Sequence, residues 1–213
     1  NELNKVKSKL NVLVNMEAYY DGYNKSVKTL MNNKEKDSML HKAILGTVAD
    51  VIKTKKEYET AIEISLGFAL QNIIVKSEMD AHNIIDYLKE NKIGRVTFLP
   101  IDMIQERSLN ANENKVLSED CVIDTADKLV ETSKEFQKVI KHLLGRIIIV
   151  DNLKNGFKIS KKLDNSIRIV TLQGDVINSG GSVTGGHIAS NQNLLGRKRE
   201  IEECKLLDEE YSN

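Results

Sequence analysis

The residues with the most pointed chemical potential are Ser179-Gly180-Gly181-Ser182-Val183-Thr184-Gly185-Gly186, where four of the twelve glycines of the chain fall within seven residues. Three kinds of chemistry use such a stretch. Glycine-rich turns can present backbone N–H groups to a phosphate. However, no Lys-Ser/Thr follows as a P-loop requires, the GxGxxG spacing is absent, and no clear helix starts after Gly186. A glycine-serine stretch can also be a plain flexible loop. The third use is a strand edge kept free of side chains, so that another backbone can dock by main-chain hydrogen bonds. Val183 and Thr184 between the glycine pairs favour extended backbone and so this third use.

The other reactive residues are dispersed. His41, His82, His142 and His187 show neither HExxH nor His-Cys metal spacing, and Gly181-Ser182-Val183-Thr184-Gly185 lacks the register of a GxSxG nucleophile elbow. Cys121 and Cys204 lie far apart without a CxxC pair, which argues against a zinc site or disulfide scaffold and for a reducing, cytoplasmic home. No catalytic residue, metal or cofactor is expected. Thirty-one basic side chains balance 31 acidic ones, so binding to nucleic acid needs a local patch rather than bulk charge. Apolar runs such as Ile147–Val150 are far too short to span a bilayer, and Asn1–Leu10 is too polar for a signal peptide. The chain begins without methionine, midway through a helical pattern, as an excised fragment would.

The elements that must position the glycine stretch follow from periodicity. Leu3, Val6, Leu10 and Leu13 trace a heptad seam, loosely continued by Tyr20, that predicts a coiled-coil or amphipathic helix. Asp21-Gly22-Tyr23 reads as a turn, Lys25–Met31 as a helix and Asn32–Asp37 as a loop. From Lys56, the spacing of Tyr58, Ile62, Leu66 and Ala69 predicts a helix, with Gly67 inside it at a close packing contact. Asn72–Val75 reads as a buried strand. Ser77-x-x-Asp80 caps a helix that buries Ala81, Ile84, Ile85 and Leu88, and Arg95–Leu99 is a strand ended by Pro100, the sole proline.

A polar stretch, Gln105–Asn114, precedes a boundary near Leu117–Asp120. Thr132-x-x-Glu135 predicts a capping box opening a helix with Phe136, Val139, Ile140 and Leu143 inward. Strand Arg146–Val150, a helix over Leu153–Leu163 capped by Asn152, strand Ile167–Leu172, a turn at Gln173-Gly174-Asp175 and strand Val176–Asn178 complete the second half. The halves echo each other in Gly94-Arg95-Val96 and Gly145-Arg146-Ile147. Charged helix returns from Arg197 to Asn213, with Ile201, Cys204 and Tyr211 on a ragged heptad. The expected class is mixed α/β (α+β): an entry helix and arm stub over 1–35, lobes over 36–118 and 119–195, and an exit stub over 196–213.

In combination, order and spacing, Tyr58-x-x-Ala61-Ile62-Glu63-x-x-Leu66-Gly67, Gln71-Asn72-Ile73-Ile74-Val75, Gly94-Arg95-Val96-Thr97-Phe98-Leu99-Pro100, Gly174-Asp175 and Gly180-Gly181-Ser182-Val183-Thr184-Gly185-Gly186 resemble the hinge of bacterial structural-maintenance-of-chromosomes (SMC) proteins. The resemblance implies a homodimer about a two-fold axis that joins two coiled-coil arms. It places the dimer contact at Gly180, Gly181, Ser182, Val183, Thr184, Gly185 and Gly186, where strand edges of one lobe meet the other lobe of the partner. It also implies weak DNA binding through basic residues near the lobe–arm junction, for which Lys53, Lys55, Lys56, Lys89, Lys92, Arg197, Lys198 and Arg199 are candidates. The ATPase motifs of that family lie at the far ends of the arms; this stretch has no Walker A motif, so ATP hydrolysis is not expected of it. Two rivals remain at this point: a stand-alone DNA-binding module whose dimerisation is incidental, and a small phosphate-binding enzyme built on the glycines.

Overall fold

The computed structural model describes residues 2–188 and 193–212. Residues 189–192, inside the expected second lobe, and Asn1 and Asn213, at the ends of the expected stubs, lie outside the described residues.

The chain enters on α1 (Glu2–Ala18), where the expected seam residues Leu3, Val6, Leu10 and Leu13 are, with Met16 and Glu17, the less exposed positions of an otherwise solvated helix. After the turn at Gly22 come α2 (Lys25–Lys34) and α3 (Ser38–Ala43). Helix thus occupies part of the expected loop. Asp37 is what starts α3, its carboxylate accepting from the N–H groups of Met39 and Leu40. Strand β1 (Ile44–Thr47) leads into the single turn α4 (Val48–Val51), opened by a Thr47–Asp50 capping box, and then β2 (Lys53–Thr54).

Helix α5 (Glu59–Leu66) buries Ala61, Ile62 and Leu66. The packing role expected of Gly67 is not what it does: a Cβ there would meet nothing within 4 Å. Its φ of +51° instead ends the helix, a backbone state only glycine adopts at low cost. Next come β3 (Ile73–Val75), α6 (Glu78–Glu90) and β4 (Phe98–Pro100). Ser77 caps α6 as expected, accepting from the Asp80 N–H at 3.1 Å. Ile85 is 38% exposed, because α6 seats only Ala81, Ile84 and Leu88 in the core. Pro100 lies within the strand rather than beyond it; Arg95–Thr97 precede the paired residues, although the Thr97 carbonyl accepts from the Ile73 N–H at 3.0 Å. Proline is tolerated there because β4 is an edge.

The second half contributes β5 (Val122–Thr125), β6 (Val130–Glu131), α7 (Gln137–Leu144), β7 (Ile147–Val150), α8 (Leu153–Lys162), β8 (Arg168–Thr171), β9 (Val176–Ile177), β10 (Val183–Thr184) and the exit helix α9 (Leu194–Ser212). Asn152 caps α8 through the Asn155 N–H. The capping box expected at Thr132 does not form. Its hydroxyl donates instead to the Val51 carbonyl at 2.7 Å, a bond between the two halves that no local pattern reveals.

The strands make a three-stranded sheet ordered β1-β3-β4 and a five-stranded sheet ordered β10-β9-β8-β7-β5. The small β2–β6 ribbon stitches one half to the other, with Thr54 Oγ1 donating to the Leu129 carbonyl. One hydrophobic cluster runs from Leu30, Ile62 and Ile74 through Ile140, Leu144 and Ile149 to Leu194 and Leu195, so both sheets share a core. A second cluster, around Ile148, Ile159, Ile169 and Ile177, lies beneath α8. α1 and α9 pack antiparallel, with Lys7 beside Asp208 and Glu17 beside Arg197.

Candidate functional site

The glycine stretch forms a hairpin. β9 and β10 pair antiparallel, with Val183 opposite Ile177 and Thr184 opposite Val176. The turn between them closes with the Asn178 N–H on the Ser182 carbonyl at 2.8 Å and the Gly181 N–H on the Asn178 carbonyl at 2.9 Å. Gly180 and Gly181 sit at φ of +89° and +93°, which is why this turn takes glycine. The Gly180 N–H bonds the Asn165 carbonyl at 2.8 Å. The N–H groups of Gly180 and Gly181 are therefore spent inside the protein and are not offered to a phosphate.

β10 is the outermost strand of its sheet, and both its residues are exposed. Because Asn178 and Ser182 form a hydrogen-bonded pair, the alternation of an antiparallel ladder turns the Val183 N–H and C=O away from β9. Val183 is 46% exposed. Gly185 and Gly186 follow in different settings. A Cβ at Gly185 would come within 2.4 Å of Asp175 Oδ1, while Gly186 lies in open space at φ +127°. A second open edge is β4, with β3 on one side and no strand on the other among the described residues. Arg95 and Thr97, just before β4, are exposed.

The exit helix is fastened to the body by charge. Arg197 is only 8% exposed; its Nε donates to Glu17 Oε2 at 2.8 Å and one Nη donates to the Asp21 carbonyl at 2.7 Å. Lys198 donates to Asp50 Oδ1 at 2.7 Å. Burial opposes ionisation of Asp50, but the Lys198 charge and bonds from Lys198 and Thr47 outweigh it and hold its pKa below the usual carboxylate range. Arg199 bonds Glu59 and Glu203, and Lys53 pairs with Glu202. Glu63 accepts from the Leu194 N–H at the start of α9, and burial pushes its pKa up to about 7. It lines a cavity of about 530 Å³ with Gly22, Ile64, Phe68, Ile188 and Leu194.

The residues expected to touch DNA thus fall into two groups. Arg197, Lys198, Arg199 and Lys53 hold the root of the exit arm, and Lys89 is shared with Asp86. Lys55, Lys56 and Lys92 are exposed and form no ion pair among the described residues. Sequence reasoning missed the acids that receive the arm. The signal was present: Glu59 and Glu63 sit one turn apart on a helix that buries Ala61, Ile62 and Leu66.

The body thus presents an open strand edge at each sheet and is entered and left by two terminal helices that pack on one another antiparallel. Residues 41–160 fit the family model described as the SMC proteins flexible hinge domain. The chain belongs to the SMC hinge family. It is 44% identical over 202 residues to a chromosome partition protein Smc of Clostridium kluyveri, covering 94% of this chain and 17% of that protein. The hinge therefore spans about a sixth of the length of that relative. Among solved structures, an asymmetric dimer of the Geobacillus stearothermophilus SMC hinge domain matches with TM-score 0.87 and 37% identity, over 98% of this chain and 83% of that one. A Pyrococcus furiosus Smc hinge with an extended coiled coil matches with TM-score 0.66 and 26% identity, over 98% and 74% of the two chains.

Proposed function

We propose that this hinge homodimerises and thereby joins two coiled-coil arms of a chromosome-partitioning ATPase whose catalytic heads lie beyond this chain, in the cytoplasm at the nucleoid. The observation that carries the reading is the exposed β10 edge, where the Val183 N–H and C=O face outward from a hairpin fixed by Gly180 and Gly181. Unpaired edges invite another strand, and a two-fold axis would use each edge twice. The partner edge in this reading is β4, open on one side and preceded by exposed Arg95 and Thr97. The chain divides functionally at 118/119, since the three-stranded sheet lies before that point and the five-stranded sheet after it. Weak DNA binding is a subsidiary part of the same function, with Lys55, Lys56 and Lys92 exposed and without an ion partner among the described residues.

Sedimentation equilibrium tests the dimer. The expected wild-type mass is twice the 24.0 kDa of the chain. Val183→Pro, which removes one outward N–H from an edge that tolerates proline, should give the mass of one chain with unchanged circular dichroism. A wild type that stays monomeric at tens of micromolar overturns the reading.

A further inference from the structure

Helix α8 covers the second sheet with Gly156, Ile159 and Ser160 and shows solvent a face that those contacts do not explain. Lys154, Phe157, Lys158 and Lys161 are all exposed, at spacings of three or four that stack them along one side. The helix carries no acidic residue. Its fourth lysine, Lys162, pairs with Glu119, whereas Lys154, Lys158 and Lys161 form no ion pair among the described residues. The Asp151 carboxylate at the amino end is engaged by the Asn152 N–H and the Asn155 side chain.

Helix electrostatics accounts for only part of this. Lys161 and Lys162 in the last turn suit the negative end of the dipole, but Lys154 is in the first turn, where a cation is disfavoured. Lys154 and Lys158 are like charges one turn apart with no acid between them, an arrangement that weakens a helix. An aromatic ring, 40% exposed, stands in their midst. Lysines that repel one another around an open aromatic face suit a polyanion that also offers rings to stack on.

We propose that this face of α8 is a docking surface for DNA, the lysines neutralising phosphates and Phe157 stacking on a base of a single strand. The proposal deepens the DNA-binding part of the function above and rests on it; it moves the contact away from the arm root, where most candidate cations are already paired. The carboxyl end of α8 abuts the β9–β10 hairpin, since Asn165 accepts from Gly180 and Ser166 accepts from Ser179. A strand bound on α8 therefore lies beside the dimer edge.

Fluorescence anisotropy with a labelled oligonucleotide of about 30 nucleotides, single-stranded and as a duplex, tests this at several salt concentrations. Lys154→Gln/Lys158→Gln/Lys161→Gln should weaken single-strand binding by about tenfold or more and reduce the log–log salt slope by about 2, three contacts at roughly 0.7 each. Phe157→Ala should weaken the single strand and spare the duplex; equal loss on both, or none, overturns the stacking. The triple Lys→Arg variant should keep binding, and thermal unfolding should show all variants folded. If the triple Gln variant binds as wild type while Lys55→Gln/Lys56→Gln does not, the α8 site is wrong and hinge DNA binding stands. If wild type binds no DNA even at low salt, that part of the function falls with it, while the sedimentation result stands independently. Binding of poly-glutamate as tight as that of the oligonucleotide would overturn DNA as the occupant.

Discussion

Glu63 on α5 and the N–H of Leu194 at the head of α9 are 131 residues apart in sequence and 2.6 Å apart in space. This bond fixes where the exit arm leaves the body, because it satisfies a donor that the first turn of a helix leaves open. The carboxylate does so half-buried, beside the apolar wall of the cavity formed with Ile64, Phe68 and Ile188. Glu63 is therefore a strut that resists ionisation.

Removing that charge should alter the pH dependence of stability. The folded pKa of about 7 exceeds the ordinary 4.5, so between those values the unfolded chain has lost the proton that the folded chain keeps. Stability then falls as pH rises from about 4.5 to 7 and levels off above, by an amount on the order of 3 kcal/mol. Glu63→Gln, which cannot ionise, should be more stable than wild type at pH 8 and indistinguishable below pH 4.5. Urea titrations at the two pH values would reveal it; a variant less stable at pH 8 would show that the charged carboxylate is needed.

The ion pairs at the arm root should rank by burial. Arg197 is 8% exposed and serves both Glu17 and the Asp21 carbonyl, so Arg197→Ala strands an acid and a carbonyl and should cost about 3 kcal/mol. Lys198, at 25% exposure opposite Asp50, should cost about 1 kcal/mol. Lys53→Ala, whose pair with Glu202 is largely in water, should change nothing measurable. Urea midpoints at constant slope would give the order. Equal losses at Arg197 and Lys53 would mean the root is held by packing alone.

Much of this hinge was written locally. The heptad of Leu3, Val6, Leu10 and Leu13, the caps at Ser77 and Asn152 and the β-branched run of Ile147–Val150 each declare an element within a few residues. The family motifs added the glycine edge. What stayed hidden depends on distant partners or on a dihedral. Thr132 looks like a cap, but Val51 takes its hydroxyl, and Arg197 looks like a surface cation until Glu17 and Asp21 close around it. α8 escaped because its lysines matter only once the fold shows which of them lack acids.

Gly67 offers a clean test of dihedral against packing. With φ at +51°, ψ at −128° and open space where a Cβ would go, Gly67→Ala should cost about 2 kcal/mol, the penalty of a side chain in a backbone region nearly confined to glycine. Dimer mass should not change. A loss of several kcal/mol would restore the close-packing role.

The glycines of the edge separate two causes that an alanine scan would merge. Gly180 and Gly181 hold positive φ within the hairpin, so alanine there strains the turn even in an isolated protomer. Their loss of dimer should come with lower thermal stability, measured on a protomer too dilute to associate. Val183→Pro acts differently: its N–H faces outward and no β9 bond is cut, so the dilute protomer should melt as wild type while the dimer is lost. If Val183→Pro leaves the dimer intact and only the glycine variants dissolve it, the glycines shape the turn and the contact lies elsewhere. If both dissolve it but only the glycine variants lower the melting temperature of the protomer, the hairpin builds the edge and Val183 bonds across it.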